Sequence, residues 1–384
     1  MIQGNFYSYL IFSITILLFS CSTEKKNSSD DLSTKTDSLN PTFAQNFTVQ
    51  KQGDLTILSI GEAWRNAKEK FQYVLYPKGS KAPTGFNNAI KIAVPVERTI
   101  CTGTSQVAFL DFIGQTEKIV AIADGKYVYN AKIRSKIKSG ALPELGNDQG
   151  LNYEKALSVN PELVFAFSFG RTQSHKKFEE LGIPVVMISE FMEDSPLGRA
   201  EWAVFISYFF GAELSAQKEF DKIAKKYLDL KVLSKDLTKE QQPKVLVGMA
   251  QEGSWFVPGG KSFTAKIIED AGANYLWSDN SEKGGIPIDF EAVFFKAQDA
   301  DKWINVVLAE NKKQLLDADS RYSDFKAFKN SEIYSYTARI SENGGYDFYE
   351  SAIVRPDLVL ADLIKIFHPK KLPDHELYYY KKIP

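Results

Sequence analysis

The order of apolar and polar positions divides this chain into stretches of different period. It opens on one apolar run, YLIFSITILLFSCS, too short for a comfortable membrane span, then turns polar over STEKKNSSDDLSTKTDSLNPT. NFTVQKQGDLTILSI alternates around Gly53-Asp54, which predicts a hairpin, and FQYVLYP adds a third strand. The period then changes. RTICTG, KIVAIAD, PELVFAF and IPVVMIS read as strands; TSQVAFLDFIG, NYEKALSV and HKKFEELG between them read as helices, two of them stopped by Gly114 and Gly182. A long helical segment comes next, PLGRAEWAVFISYFFGAELSAQKEFDKIAKKYLDLKVLSK, apolar in its first half, charged in its second, with Gly211 a point at which it divides. After EQQPK the alternation resumes. VLVGMA, KWINVV and EIYSYT are strands; SFTAKIIEDAG, FEAVFFKA, FKAFKN and SAIVRPDLVLADLIKIFHP are helical. The predicted class is α/β: two α/β lobes with parallel sheets joined by one long α-helix, plus an N-terminal β-hairpin extension.

Composition narrows the function. The 384 residues suffice for two lobes with proper cores, and a net charge of −1 argues against a nucleic-acid partner. Aromatics reach 13%, which suggests stacking surfaces as well as core. Leu18-Phe19-Ser20-Cys21 resembles a bacterial lipoprotein signal, with lipidation of Cys21, although no Lys or Arg precedes the apolar run. A plain anchor helix is the alternative. The polar stretch after it cannot bury a core and reads as a tether, so the protein is expected outside the cytoplasm, lipid-anchored to a bacterial membrane on the periplasmic or surface side. Cys101 is then a buried small hydrophobe. The expected divisions are a signal peptide (1–21), tether (22–42), β preface (43–92), first lobe (93–195), connecting helix (196–234), second lobe (243–370) and tail (371–384).

Two stretches repeat a pattern: Asn152-Tyr153-Glu154 opens one helix and Asp289-Phe290-Glu291 another. Asn152 and Asp289 suit N-caps, and a first-turn glutamate suits the helix dipole, which could by itself place each one. RTICTGTSQVAFLDFIGQTEKIVAIAD, LPELGNDQGLNYEKALSVNPELVFA, WFVPGGKSFTAKIIEDAGANYLW and DFEAVFFKAQDADKWI, with LGIPVVMI and the long helix, together resemble the substrate-binding proteins of ABC importers for iron chelates, haem or cobalamin. The likeness runs from about Pro95 to His368. It implies two lobes on a long helix, binding rather than catalysis, a monomer, and a partner permease dimer with its ATPase. It also implies that Glu154 and Glu291, one per lobe, dock into arginine pockets of the permease.

Ligands of open α/β sheets gather at the carboxyl ends of strands. The loops there nominate Thr104, Tyr127, Tyr129, Phe169 and Arg171 in the first lobe. In the second they nominate Trp255 and Phe256, and, from the glycine-flanked NGGYDFYES, Tyr346, Phe348 and Tyr349. Flat aromatics suit a large, partly apolar cargo, phenols can ligate ferric iron, and Arg171 suits an anionic chelate. For each residue, core or loop packing is the competing role. His175 fits a solvated helix start better than a haem ligand, His368 fits a helix end, and the scattered histidines nominate no metal site and no resident cofactor. PGGKS lacks the first glycine of a phosphate loop, Trp255 standing there. The expected role is capture of a ferric siderophore, with haem or cobalamin as alternative cargo. A scavenger without a transporter and an exported hydrolase are the rival readings.

Overall fold

A computed structural model describes residues 36–147, 150–168, 174–251, 253–307 and 309–384. Cys21, Phe169 and Arg171 lie outside the described residues. The N-terminal extension is a sheet of five strands in chain order: β1 (Thr36–Ser38), β2 (Phe47–Gln52), β3 (Leu55–Ile60), β4 (Phe71–Pro77) and β5 (Ile90–Val94). The hairpin turns where expected, with Gln52 opposite Leu55 and Gly53 in the left-handed region at φ +59°. Phe47, Val49, Leu58, Tyr73 and Leu75 share one core with Ile100, Phe165, Val186, Trp202 and Phe205. The extension is therefore part of the first lobe's core, and not an appendage to it. Two buried carboxylates hold its entry. Glu201 accepts the amides of Thr42, Phe43 and Ala44, each at 2.7 Å, and Glu193 accepts those of Gln45 and Asn46 at 2.9 and 3.0 Å.

The first lobe is a parallel sheet in the order β7-β6-β8-β9, made of β6 (Thr99–Cys101), β7 (Ile119–Ile122), β8 (Leu163–Ala166) and β9 (Val185–Met187). Its helices are α1 (Thr104–Phe112), α2 (Ala131–Lys138), α3 (Tyr153–Ser158) and α4 (Ser174–Glu180). Cys101 is buried as a free thiol. The connecting segment is two helices, α5 (Pro196–Ser207) and α6 (Glu213–Val232). A 3-10 turn over Tyr208–Phe210 ends at Gly211, whose φ of +65° stops the first helix. α5 is buried on nearly every side, whereas α6 buries the single stripe Ala216, Phe220, Ile223, Ala224 and Tyr227.

The second lobe contains β10 (Lys244–Val247), β11 (Ala250–Gln251), β12 (Ser254–Pro258), α7 (Phe263–Asp270), β13 (Asn274–Tyr275), β14 (Gly285–Ile288) and α8 (Phe290–Ala297). It continues through β15 (Lys302–Ile304), α9 (Lys312–Ala318), α10 (Lys326–Lys329), β16 (Tyr334–Ser335), α11 (Pro356–Phe367) and β17 (Lys381–Lys382). β10 pairs in parallel with β13 and β15, while β11, β12 and β14 form a separate antiparallel sheet. The C-terminal residues fold back on the lobe. β17 pairs with β16, and the buried Asp362 carboxylate accepts the amides of Tyr378, Tyr379 and Tyr380. No helix among the described residues is long and apolar enough to cross a membrane.

Candidate functional site

Three parallel strands of the first lobe end side by side, and the loops leaving them reach toward the second lobe. After β6, the amides of Thr102 and Gly103 both donate to Gln106 Oε1, at 2.7 and 3.1 Å, which draws the loop tight against the start of α1. Gly103 leaves room there: a β-carbon on it would stand 3.0 Å from the Phe167 ring, just past β8. After β7, Asp124 caps a short turn and sets Tyr127 half in solvent. Across from these lie Tyr346 and Tyr349. Thr102, Gly103, Thr104, Asp124, Tyr127, Asn147, Phe167, Tyr346 and Tyr349 enclose a cavity of about 550 Å³. That size and aromatic lining suit a small-molecule site at the carboxyl end of a sheet.

The lobes touch along one rim of this cavity. Glu350 is buried; its Oε2 accepts the Tyr129 amide at 2.7 Å and its Oε1 the Asn130 amide at 2.8 Å. Thr104 Oγ1 donates to the Tyr349 carbonyl at 3.2 Å. Gly345 fits where nothing larger could, since a β-carbon would lie 2.5 Å from the Tyr127 carbonyl oxygen. Burial pushes the Glu350 carboxyl up to about 7, against the lowering effect of its two amide donors. Behind the rim, Tyr336 stacks on Phe348 at 4.4 Å and 11°, and its hydroxyl hydrogen-bonds that of Tyr349. Burial raises the Tyr349 phenol, so it stays protonated at neutral pH and can donate a hydrogen bond.

Thr104, Tyr127, Tyr346 and Tyr349 are thus brought together. Tyr129 is not on the cavity wall. Its ring lies between the Arg134 and Arg339 guanidinium groups, at 5.6 and 5.3 Å, and its amide serves the rim. Phe348 does not line this cavity; it stacks on Tyr336 and faces a neighbouring chamber. Trp255 corrects the expectation most clearly. The supposed loop is strand β12, whose alternation turns Trp255 inward, fully buried against Trp303, Tyr322 and Phe325, with its Nε1 donating to the Val247 carbonyl. Phe256 points the other way, half exposed and away from the cavity. Sequence reasoning missed Phe167, Asn147 and Glu350. Phe167 was legible, being the last residue of the predicted strand PELVFAF. Glu350 had no local signal, because its partners are far away in the chain.

Glu154 and Glu291 are both exposed, each in the first turn of a helix capped as expected: Asn152 accepts the Lys155 amide and Asp289 the Ala292 amide. Glu291 also accepts from Arg321 at 2.8 Å, in a solvent-exposed pair. His368 closes α11, with Nε2 at 2.8 Å from the Gly272 carbonyl.

Two α/β lobes meet over a cavity at the strand ends, an arrangement suited to holding a solute between them. The chain belongs to the periplasmic binding protein family, whose pattern it matches over residues 100–340. It is 26% identical to an uncharacterized lipoprotein of Methanocaldococcus jannaschii over 316 residues, covering 80% of this chain and 73% of that one. Its fold is shared with a possible iron-binding periplasmic protein from Staphylococcus epidermidis (TM-score 0.56, 16% identity, 72% of this chain and 100% of that one). It is shared too with a periplasmic heme-binding protein from Pseudomonas aeruginosa (TM-score 0.54, 19% identity, 71% and 93%). A periplasmic vitamin B12-binding protein from Vibrio cholerae also matches (TM-score 0.51, 14% identity, 73% and 99%).

Proposed function

We propose that this protein is the extracytoplasmic binding component of an ABC importer and that its cargo is a metal chelate, a ferric siderophore first. The observation that carries the reading is the cavity walled by Tyr127, Tyr346, Tyr349 and Phe167, where phenol rings offer flat apolar faces and hydroxyl donors together. Haem and cobalamin fit the same wall and are the alternative cargoes; solved relatives of this fold bind each of them. In this reading Cys21 carries the lipid anchor, and Glu154 and Glu291 seat the loaded monomer on the permease dimer.

Titration of the soluble chain with ferric siderophores, haem and cobalamin, monitored by visible absorption and tryptophan quenching, tests the cargo. Saturable binding of one of them, lost in Tyr127→Ala plus Tyr349→Ala, supports the reading; silence with all of them rejects it. Docking is tested separately. Glu154→Lys plus Glu291→Lys should abolish uptake and leave cargo affinity intact. Sustained uptake by that variant refutes the docking role.

A further inference from the structure

A second chamber lies on the second-lobe side of Tyr349. Its walls are Phe263, Ile267 and Ile268 of α7, Ile304 at the end of β15, Ala352 and Ile353, and Val359 of α11. Its volume is about 130 Å³. An apolar cavity of about 150 Å³ accepts one benzene ring in a protein interior. Two polar side chains of this wall are already paired with each other, the Tyr380 hydroxyl donating to Asn305 Oδ1 at 2.6 Å. Arg199 differs. It enters from α5, its guanidinium lies 4.0 Å from the centre of the Phe263 ring, and its Nε is buried with no hydrogen-bond partner among the described residues. The buried Glu190 acts on it electrostatically, but the two form no ion pair within 4.0 Å. A guanidinium at the wall of a largely apolar chamber one ring in size selects for two features at once: an apolar ring and an anion at its edge.

We infer that the chamber beside Tyr349 binds a single-ring aromatic carboxylate, with the ring among Phe263, Ile267, Ile304 and Ala352 and the carboxylate on Arg199. The site is distinct from the tyrosine-walled cavity, and Tyr349 is the wall they share. It does not depend on the identity of the cargo proposed above.

The soluble chain, titrated with 4-fluorobenzoate and watched by fluorine NMR, tests this directly. Unlabelled benzoate should displace the probe, and neutral benzamide should do so at least tenfold less well. Arg199→Met should remove that discrimination while benzamide still binds. Ala352→Phe, which fills the chamber, should remove both ligands and leave cargo binding in the tyrosine-walled cavity unchanged. Thermal unfolding of each variant confirms that it is folded. No binding of 4-fluorobenzoate to the wild-type chain, equal displacement by benzoate and benzamide, or full discrimination by folded Arg199→Met would each overturn the inference.

Discussion

The rim contact at Glu350 carries a pH dependence whose sign the structure sets. The carboxyl sits between lobes, out of solvent, and titrates near 7 when folded against an ordinary 4.5. Between those values the folded chain holds a proton that the unfolded chain has released, so stability from this group falls as pH rises. Its contribution is complete below about 4.5 and is lost as pH passes through about 7. A difference of that size corresponds to roughly 3 kcal/mol at full effect, since each pKa unit is worth about 1.36 kcal/mol. Glu350→Gln removes the titration while keeping the shape. Urea unfolding of the wild-type chain and of Glu350→Gln from about pH 4.5 to 8.5 gives two curves, and their difference isolates this group from the exposed carboxylates. The wild type should lose about 2–3 kcal/mol relative to the variant across the range, most of it between about pH 5 and 7.5. A difference that stays flat with pH, or rises, refutes the reasoning. It would mean that the two amide donors, Tyr129 and Asn130, outweigh burial and keep the carboxylate charged.

The packing sets four further outcomes. Trp255→Ala should destabilise the second lobe by about 3–5 kcal/mol in denaturant unfolding, with no loss of cargo affinity among the molecules that remain folded. Gly345→Ala should weaken the rim, because its β-carbon cannot fit beside the Tyr127 carbonyl, and amide hydrogen exchange at Tyr129 and Asn130 should rise. Glu201→Ala leaves three buried or half-buried amides without an acceptor, at about 1–3 kcal/mol for each fully buried donor, and should expose residues 36–46 to limited proteolysis. Tyr349→Phe removes the hydroxyl shared with Tyr336 but keeps the ring, so it should cost cargo affinity far less than Tyr349→Ala if stacking dominates.

The α/β class, the hairpin at Gly53, the division of the connecting segment at Gly211 and the matched helix caps at Asn152 and Asp289 were all legible in the order of residues. Each rests on local chemistry: alternation, a left-handed glycine, or a side chain reaching an amide three residues on. The same order also put Tyr127, Tyr346 and Tyr349 at the strand ends and loops where ligands gather. Which aromatics face a cavity became visible only in the packed molecule. Trp255 and Phe256 are neighbours of similar character, yet the register of β12 against β14 sends one to the core and the other to solvent. The N-terminal sheet's place in the core, the Glu350 contact and the Arg199 chamber were likewise hidden. Each joins residues far apart in the chain, and burial, which sets their energies, exists only once the lobes have packed.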